Sequence, residues 1–280
     1  MIELSRRLYR RFAGQDAFIA HVPLAVLRAI HGDFATVRVG DRKITVDLRD
    51  DILAFHLYFS RVWEPNETAY AVSAIRPGDR VLDIGANLGY YTTLFGRLVG
   101  AGGRVMAIEA APRNAELLAR NVAQNDLTGV VEIVCAAAGS GDDVAPLYTS
   151  KNNFGGHTLV KPARYAETIP VEVVAVDDLV ASWERLDFVK IDVEGYEPMV
   201  FAGMRATLER FPDVQILCEF DPTYVARAGF DPFAFLDGLG ARGFGISVIG
   251  PGGEPVRTDV TGLRAALEGT REAKNLLLRR

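Results

Sequence analysis

The sequence predicts an α/β fold: a mostly parallel sheet with helices on both faces, preceded by a smaller cap. Three observations carry that expectation. From Arg80 onward, short apolar runs alternate with stretches of helical spacing, the rhythm of strand–helix–strand units in a parallel sheet. The run 81–84 ends on Gly85, with Gly89 four residues later, the punctuation of a sharp turn from a buried strand into a helix. A second apolar run, 104–108, ends on an acid, Glu109, where the next strand of such a sheet would reach the same rim.

The elements follow in order. Residues 1–34 read as helical, with Leu24, Leu27 and Ile30 on one face. At the start, Arg6, Arg7, Arg10 and Arg11 lie among Leu4, Leu8, Tyr9 and Phe12, an amphipathic turn whose basic face is either solvated or touches a membrane surface or an acidic partner. Residues 35–48 alternate Val37, Val39, Ile44, Val46 and Leu48 around Gly40-Asp41, a hairpin pattern. Apolar spacing places a short helix in 51–60 and another over 66–75, stopped by Pro77-Gly78. No linker-like change in composition follows, so 1–76 reads as a cap on a main domain spanning 77–280.

In the main domain strands are predicted at 80–84, 104–108, 131–135, 187–192, 214–219, 245–249 and 274–279. Helices are predicted at 90–99, 112–125, 197–210 and 231–242, with a further one at 263–268. About forty residues, 140–179, replace the helix due between the third and fourth strands. They read as strand (144–149), glycine-containing loop (150–167) and strand (169–176), an insertion expected to wall a substrate without holding the ligand bound at the glycine turn.

Composition limits the alternatives. A chain of 280 residues that is 49% hydrophobic and 24% charged is an ordinary globule, and its net charge of −5 gives no argument for nucleic acid as a partner. No run reaches the length of a membrane span, and Gln15, Asp16 and His21 interrupt any secretory core. Cys135 and Cys218 fall in predicted strands four positions apart, about 19 Å at the usual strand spacing, where a disulfide needs α-carbons within about 7 Å. Two buried free thiols and a cytoplasmic location are the expectation. Oligomeric state is not legible.

The glycine turn indicates the ligand. A dinucleotide fingerprint needs glycine at 85, 87 and 90, and this chain has Gly85, Asn87 and Tyr90. The missing second glycine is the one that admits a pyrophosphate. Asp83, just before the turn, would repel a phosphate and attract a cation. A cationic nucleoside fits, and S-adenosylmethionine is the obvious one, with Glu109 placed to accept hydrogen bonds from its ribose hydroxyls. A nicotinamide oxidoreductase shares the fold class but not this glycine pattern. A non-catalytic cofactor-binding protein would have no need of the acids described below.

Those residues also carry a resemblance. Asp83-Ile-Gly-Ala-Asn-Leu-Gly-Tyr-Tyr-Thr92 resembles the cofactor motif of class I methyltransferases, specifically the FkbM family. Asn153-Phe-Gly-Gly-His-Thr158, Val176-Asp-Asp-Leu179 and Val189-Lys-Ile-Asp-Val-Glu-Gly-Tyr-Glu197 agree with it, over a resemblance running from about Tyr58 to the C-terminus. The resemblance implies a Rossmann-like, seven-stranded sheet whose last strand runs antiparallel. It implies S-adenosylmethionine held by Asp83, Gly85, Asn87, Gly89, Tyr91, Thr92, Glu109, Ala110 and Ala136, with Glu64 of Trp63-Glu64-Pro65 closing over the methionine end. It also implies an O-methyltransferase acting on a hydroxyl of a sugar, glycan or natural product.

The candidate catalytic groups are Asp192 and Glu194 after the fourth strand, Glu219 after the fifth, and His157 in the insertion. A hydroxyl is a poor nucleophile at neutral pH, so its proton must be removed or weakened. Direct removal by His157 or Glu194 is the simpler expectation. A cation on Asp192 and Glu219 would want a third oxygen ligand, and Asp221 is held by Pro222, so no metal ligands are assigned. Asn114 and Asn121 read as surface residues, Asp177-Asp178 as a helix cap and Glu197 as a helix N-terminal acid favoured by the dipole, and His21, His31 and His56 receive no role.

Overall fold

A computed structural model describes residues 18–141, 143–268 and 273–280, with side chains from Leu24 onward. The basic turn read at Arg6–Arg11 lies outside the described residues.

The cap begins with the helix Phe18–His31, followed by the hairpin β1 (Phe34–Val39) and β2 (Arg42–Asp47) and the helices Leu53–Phe59 and Pro65–Ala74. The hairpin is antiparallel, with Val39 opposite Arg42. Its Val37, Val39, Ile44 and Val46 are buried in one cluster with Val81, Phe95 and Phe188, so cap and main sheet share a core.

The main sheet has eight strands. β3 (Arg80–Ile84), β4 (Arg104–Ile108) and β5 (Val131–Val134) run parallel to one side of the centre. A small second sheet intervenes, built from β6 (Ala137–Gly139), β7 (Asp143–Tyr148) and β8 (Thr168–Ala175), in the order β6-β8-β7. The main sheet then resumes with β9 (Phe188–Ile191), β10 (Gln215–Phe220), β11 (Gly245–Ile249), β12 (Pro255–Thr258) and β13 (Lys274–Arg279). The spatial order is β12-β11-β13-β10-β9-β3-β4-β5, and β13 is antiparallel to both β10 and β11. Val81, Leu82, Ile84, Val189 and Ile191 are almost wholly inaccessible, as expected of strands covered on both faces.

The seven predicted strands are all present; the eighth, β12, is an addition at the sheet edge. Pro255 opens it, a position where a missing N–H costs no ladder bond, and a proline there reads as loop in the sequence. The helix predicted at 197–210 is two, Glu197–Gly203 and Arg205–Arg210, broken at Met204 (φ −121°, ψ 22°). Asp177 caps the second of these, accepting hydrogen bonds from the Ala206 and Thr207 amides rather than serving its own helix. A helix that the sequence reading lacks, Pro222–Arg227, starts on Asp221, which accepts from Thr223 N and Tyr224 N. Asp221 is therefore an N-cap.

Two burial expectations are corrected. Cys135 lies just past the end of β5 and is exposed, whereas Cys218 is buried; both are free. Asn114 and Asn121 are buried, not surface residues. Asn121 ties the hairpin to the glycine turn: its Nδ2 donates to Thr45 O and Leu88 O, and its Oδ1 accepts from Thr45 N.

The insertion is held to the main domain by a close approach at Gly203. A Cβ there would stand 1.6 Å from the Gly139 carbonyl oxygen of β6. Gly203→Ala should therefore cost about 1–3 kcal/mol of stability or more, seen as a lowered midpoint in urea denaturation. An unchanged midpoint would mean that helix and insertion are not packed as described.

Candidate active site

The carboxyl ends of β3, β4, β9 and β10 meet the insertion and the Trp63-Glu64 corner of the cap around one cavity of about 270 Å³. This is where an open α/β sheet binds ligands. Twelve of the fourteen site residues expected from the sequence line it: Glu64, Asp83, Gly85, Asn87, Tyr91, Glu109, Ala110, Ala136, His157, Asp192, Glu194 and Glu219. The other two, Gly89 and Thr92, lie behind its wall.

The turn after β3 has little freedom. Gly85 has φ +83°, and a Cβ on it would stand 1.8 Å from the Asp192 carbonyl oxygen, so only glycine lets the turn pass beneath the strand end. Gly89 is left-handed at φ +88° and leads into the helix Tyr90–Val99, where a Cβ would meet Leu118 at 2.5 Å. Asn87, also left-handed, donates its backbone N–H to Glu109 Oε2 at 2.7 Å, and Ala111 N donates to Oε1 at 2.9 Å. These two bonds orient the carboxylate and leave each oxygen a further lone pair. Burial pushes Glu109 up to about 7. Thr92 acts one step removed from the cavity, donating its hydroxyl to Asp83 Oδ2 at 2.5 Å. Burial raises Asp83 to about 6.

One functional group was missed in the sequence. Lys190, in the middle of β9, is buried, donates to Asp192 Oδ2 at 2.7 Å and lies 4.7 Å from the Tyr91 ring centre. Burial opposes its charge, but Asp192, Glu64 and Asp83 outweigh that and hold the ammonium above the ordinary lysine value. The available signal was a lysine inside the apolar run Phe188–Ile191, two residues before an acid.

Beyond Lys190 the chain makes a tight turn. Glu194 is left-handed at φ 55°, and Glu197 Oε1 accepts from Val193 N and Gly195 N, fixing the loop that carries it. Thr158 of the insertion donates to Glu194 O at 2.8 Å. Carboxylate oxygens of Asp192, Glu194 and Glu219 fall within 4.8 Å of one another. Burial, then Asp192, pushes Glu194 up to about 8. Asp192, then burial, holds Glu219 well above the usual carboxylate range. Burial raises Glu64 too, with Lys190 pulling the other way.

His157 offers different chemistry from that expected of a loop histidine titrating near neutrality. It is half-buried, burial lowers it to about 4, and its Nδ1 accepts the Ser150 N–H at 3.0 Å. The neutral ring therefore carries its proton on Nε2 and presents a donor, not a base. The loop around it also reaches further than expected. Asn114 Nδ2 donates to Phe154 O, and a Cβ on Gly155 would stand 3.2 Å from Asn87 Nδ2, so the insertion roofs the glycine turn as well as the acidic rim.

The parallel strands with an antiparallel β13 between β10 and β11 are the arrangement of a Rossmann-like class I methyltransferase. Residues 83–244 match the sequence model described as the methyltransferase FkbM domain, and the chain belongs to that family, whose cofactor is S-adenosylmethionine. It is 28% identical over 167 residues to methyltransferase sdnD of Sordaria araneosa, covering 48% of this chain and 64% of that protein. It is 42% identical over 66 residues to a protein-L-isoaspartate O-methyltransferase of Aeropyrum pernix, covering 24% of this chain and 25% of that one. The chain thus spans less than two thirds of the length of these relatives. Among solved structures, the O-methyltransferase from Bacillus cereus in complex with SAH aligns over 100% of both chains at 13% identity and a TM-score of 0.46.

The cavity suits that cofactor on its own chemistry. Asn87 Oδ1, Glu64 Oε2 and the Tyr91 hydroxyl are buried polar atoms of lining residues without a hydrogen-bond partner, and the wall is rich in carboxylates to face a sulfonium and an ammonium.

These raised carboxyl groups fix the sign of a pH effect. Asp83, Glu109, Glu194 and Glu197 bind protons more tightly folded than unfolded, so their contribution to stability is complete below about pH 4, the unfolded carboxylate value. It is lost as pH rises through the folded values of about 6, 7, 8 and 7 respectively. Thermal denaturation of the ligand-free protein should therefore give a melting temperature that falls between pH 5.5 and 8.5. A rise over that interval would contradict the burial of these acids.

Proposed function

We propose that this protein is an S-adenosylmethionine-dependent O-methyltransferase acting on a hydroxyl of a sugar, glycan or natural product. The observation that carries the reading is the meeting, in one cavity, of a glycine turn, an acid oriented by two backbone amides and a buried acidic rim. When bound, S-adenosylmethionine supplies a methyl group activated on a sulfonium.

On this reading Glu109 takes the ribose hydroxyls, Asp83 and Asn87 flank the turn against which the nucleoside rests, and Glu64 and Tyr91 serve the methionine end. Ala110 and Ala136 give the adenine small apolar neighbours. In-line displacement depends on alignment and on keeping water out, and the insertion loop serves both by lying across the turn and the rim. Asp192 is oriented by its hydrogen bond from Lys190. Glu194, with its raised proton affinity, accepts the proton of the attacking hydroxyl, while His157 Nε2–H and Glu219 orient the acceptor. Trp63 and Phe154, both on the cavity wall, offer flat apolar faces to the C–H face of a sugar ring. A cytoplasmic setting agrees with the free cysteines, and no helix among the described residues is long and apolar enough to cross a membrane.

Two measurements test this. Glu109→Ala removes charge-assisted hydrogen bonds worth about 1.5–3 kcal/mol each and should weaken calorimetric binding of S-adenosylhomocysteine at least about tenfold; unchanged affinity would remove the ribose role. Glu194→Gln should slow transfer of labelled methyl to a hydroxylated acceptor by about 10²–10⁴-fold with cofactor affinity retained. Undiminished turnover would place the base elsewhere.

A further inference from the structure

We infer that Asp192, Glu194 and Glu219 bind one divalent cation at the acceptor end of the cavity. The inference borrows its purpose from the proposed methyl transfer, but its ligands come from the geometry alone. Asp192 follows β9, Glu194 sits in the turn beyond it and Glu219 lies near the end of neighbouring β10, so three separate backbone positions aim carboxylates at one point. One oxygen from each lies within 4.8 Å of the others. Three oxygens this close fit the first shell of a hard, oxygen-seeking divalent cation.

A second observation comes from across the cavity. Glu64, on the cap, has its Oε2 buried without a hydrogen-bond partner, and its charge bears on Asp192 and Glu219. Its carboxylate adds to a wall already carrying Asp83, Glu109, Asp192, Glu194 and Glu219. Among the described lining residues Lys190 is the only lysine or arginine, and its ammonium is committed to Asp192 Oδ2. That leaves Asp192 Oδ1 for another partner. A divalent ion would relieve the repulsion among Asp192, Glu194 and Glu219 where the acids are closest. The sequence argued against a metal because Asp221 could not serve as third ligand; Asp221 is an N-cap, and Glu194 fills that place. An ion here would hold the acceptor oxygen and lower its pKa, while the Glu194 oxygen not bound to it takes the proton.

The test uses the full chain stripped with EDTA and titrated with Mn²⁺, bound ion being read from loss of the free Mn²⁺ paramagnetic resonance signal. One saturable site per chain is expected. Glu219→Gln and, separately, Asp192→Asn should each weaken it at least about tenfold, because affinity at oxygen sites follows ligand charge. The surface variant Glu132→Gln should leave it unchanged, and a cooperative melt identifies variants that have folded. No saturable binding in the wild-type protein, or binding undiminished in folded Glu219→Gln, overturns the inference. Calorimetry with S-adenosylhomocysteine on the same stripped protein separates the two readings. Cofactor binding without a Mn²⁺ site removes the ion alone, and loss of both removes the methyltransferase reading as well.

Discussion

Lys190 is a lysine in the middle of a fully buried strand, and the arrangement of the site depends on it. β9 lies between β3 and β10, with Lys190 opposite Asp83 on one side and Leu217 on the other. Its ammonium emerges among Asp83, Glu64 and Asp192 and bonds directly to Asp192. Buried charges persist only when paired, and a lone buried ammonium or carboxylate costs several kcal/mol. The pairing is therefore mutual: the acids keep Lys190 charged, and Lys190 keeps Asp192 in place. Because the lysine is fixed by sheet registration, the acidic rim inherits the rigidity of the sheet rather than the freedom of loops.

Backbone strain is concentrated at the same place. Of five non-glycine residues with left-handed backbone among the described residues, Glu64, Asn87 and Glu194 line the cavity. Each such conformation costs about 1–3 kcal/mol and persists only where the surroundings enforce it. Here the enforcing contacts are visible: Asn87 N–H on Glu109, Glu197 gripping the turn around Glu194, and Thr158 bonded to the Glu194 carbonyl. Three separate segments are bent out of their easy conformations to face one cavity.

Most of this was legible in the sequence where chemistry is local. The glycine turn, the acid ending β4 and the seven main strands each follow from a few consecutive residues. What was not legible depends on contacts distant in sequence. Asn121 reads as surface until β2 folds over its helix and fills its amide. His157 reads as a base until Ser150 N takes Nδ1. Lys190 was in view within a recognised motif, but its importance comes from acids contributed by Glu64 and Asp83, more than a hundred residues earlier. The Asp221-Pro222 helix start was a readable signal, an N-cap followed by proline, overlooked because Asp221 was weighed as a ligand.

The direct test of the account is a crystal structure of the protein with S-adenosylhomocysteine. The account predicts the ribose hydroxyls on Glu109, the adenine beside Ala110 and Ala136, and the sulfur facing the rim of Asp192 and Glu194. A nucleoside bound outside this cavity, or one reversed within it so that adenine faces Asp192, would contradict it.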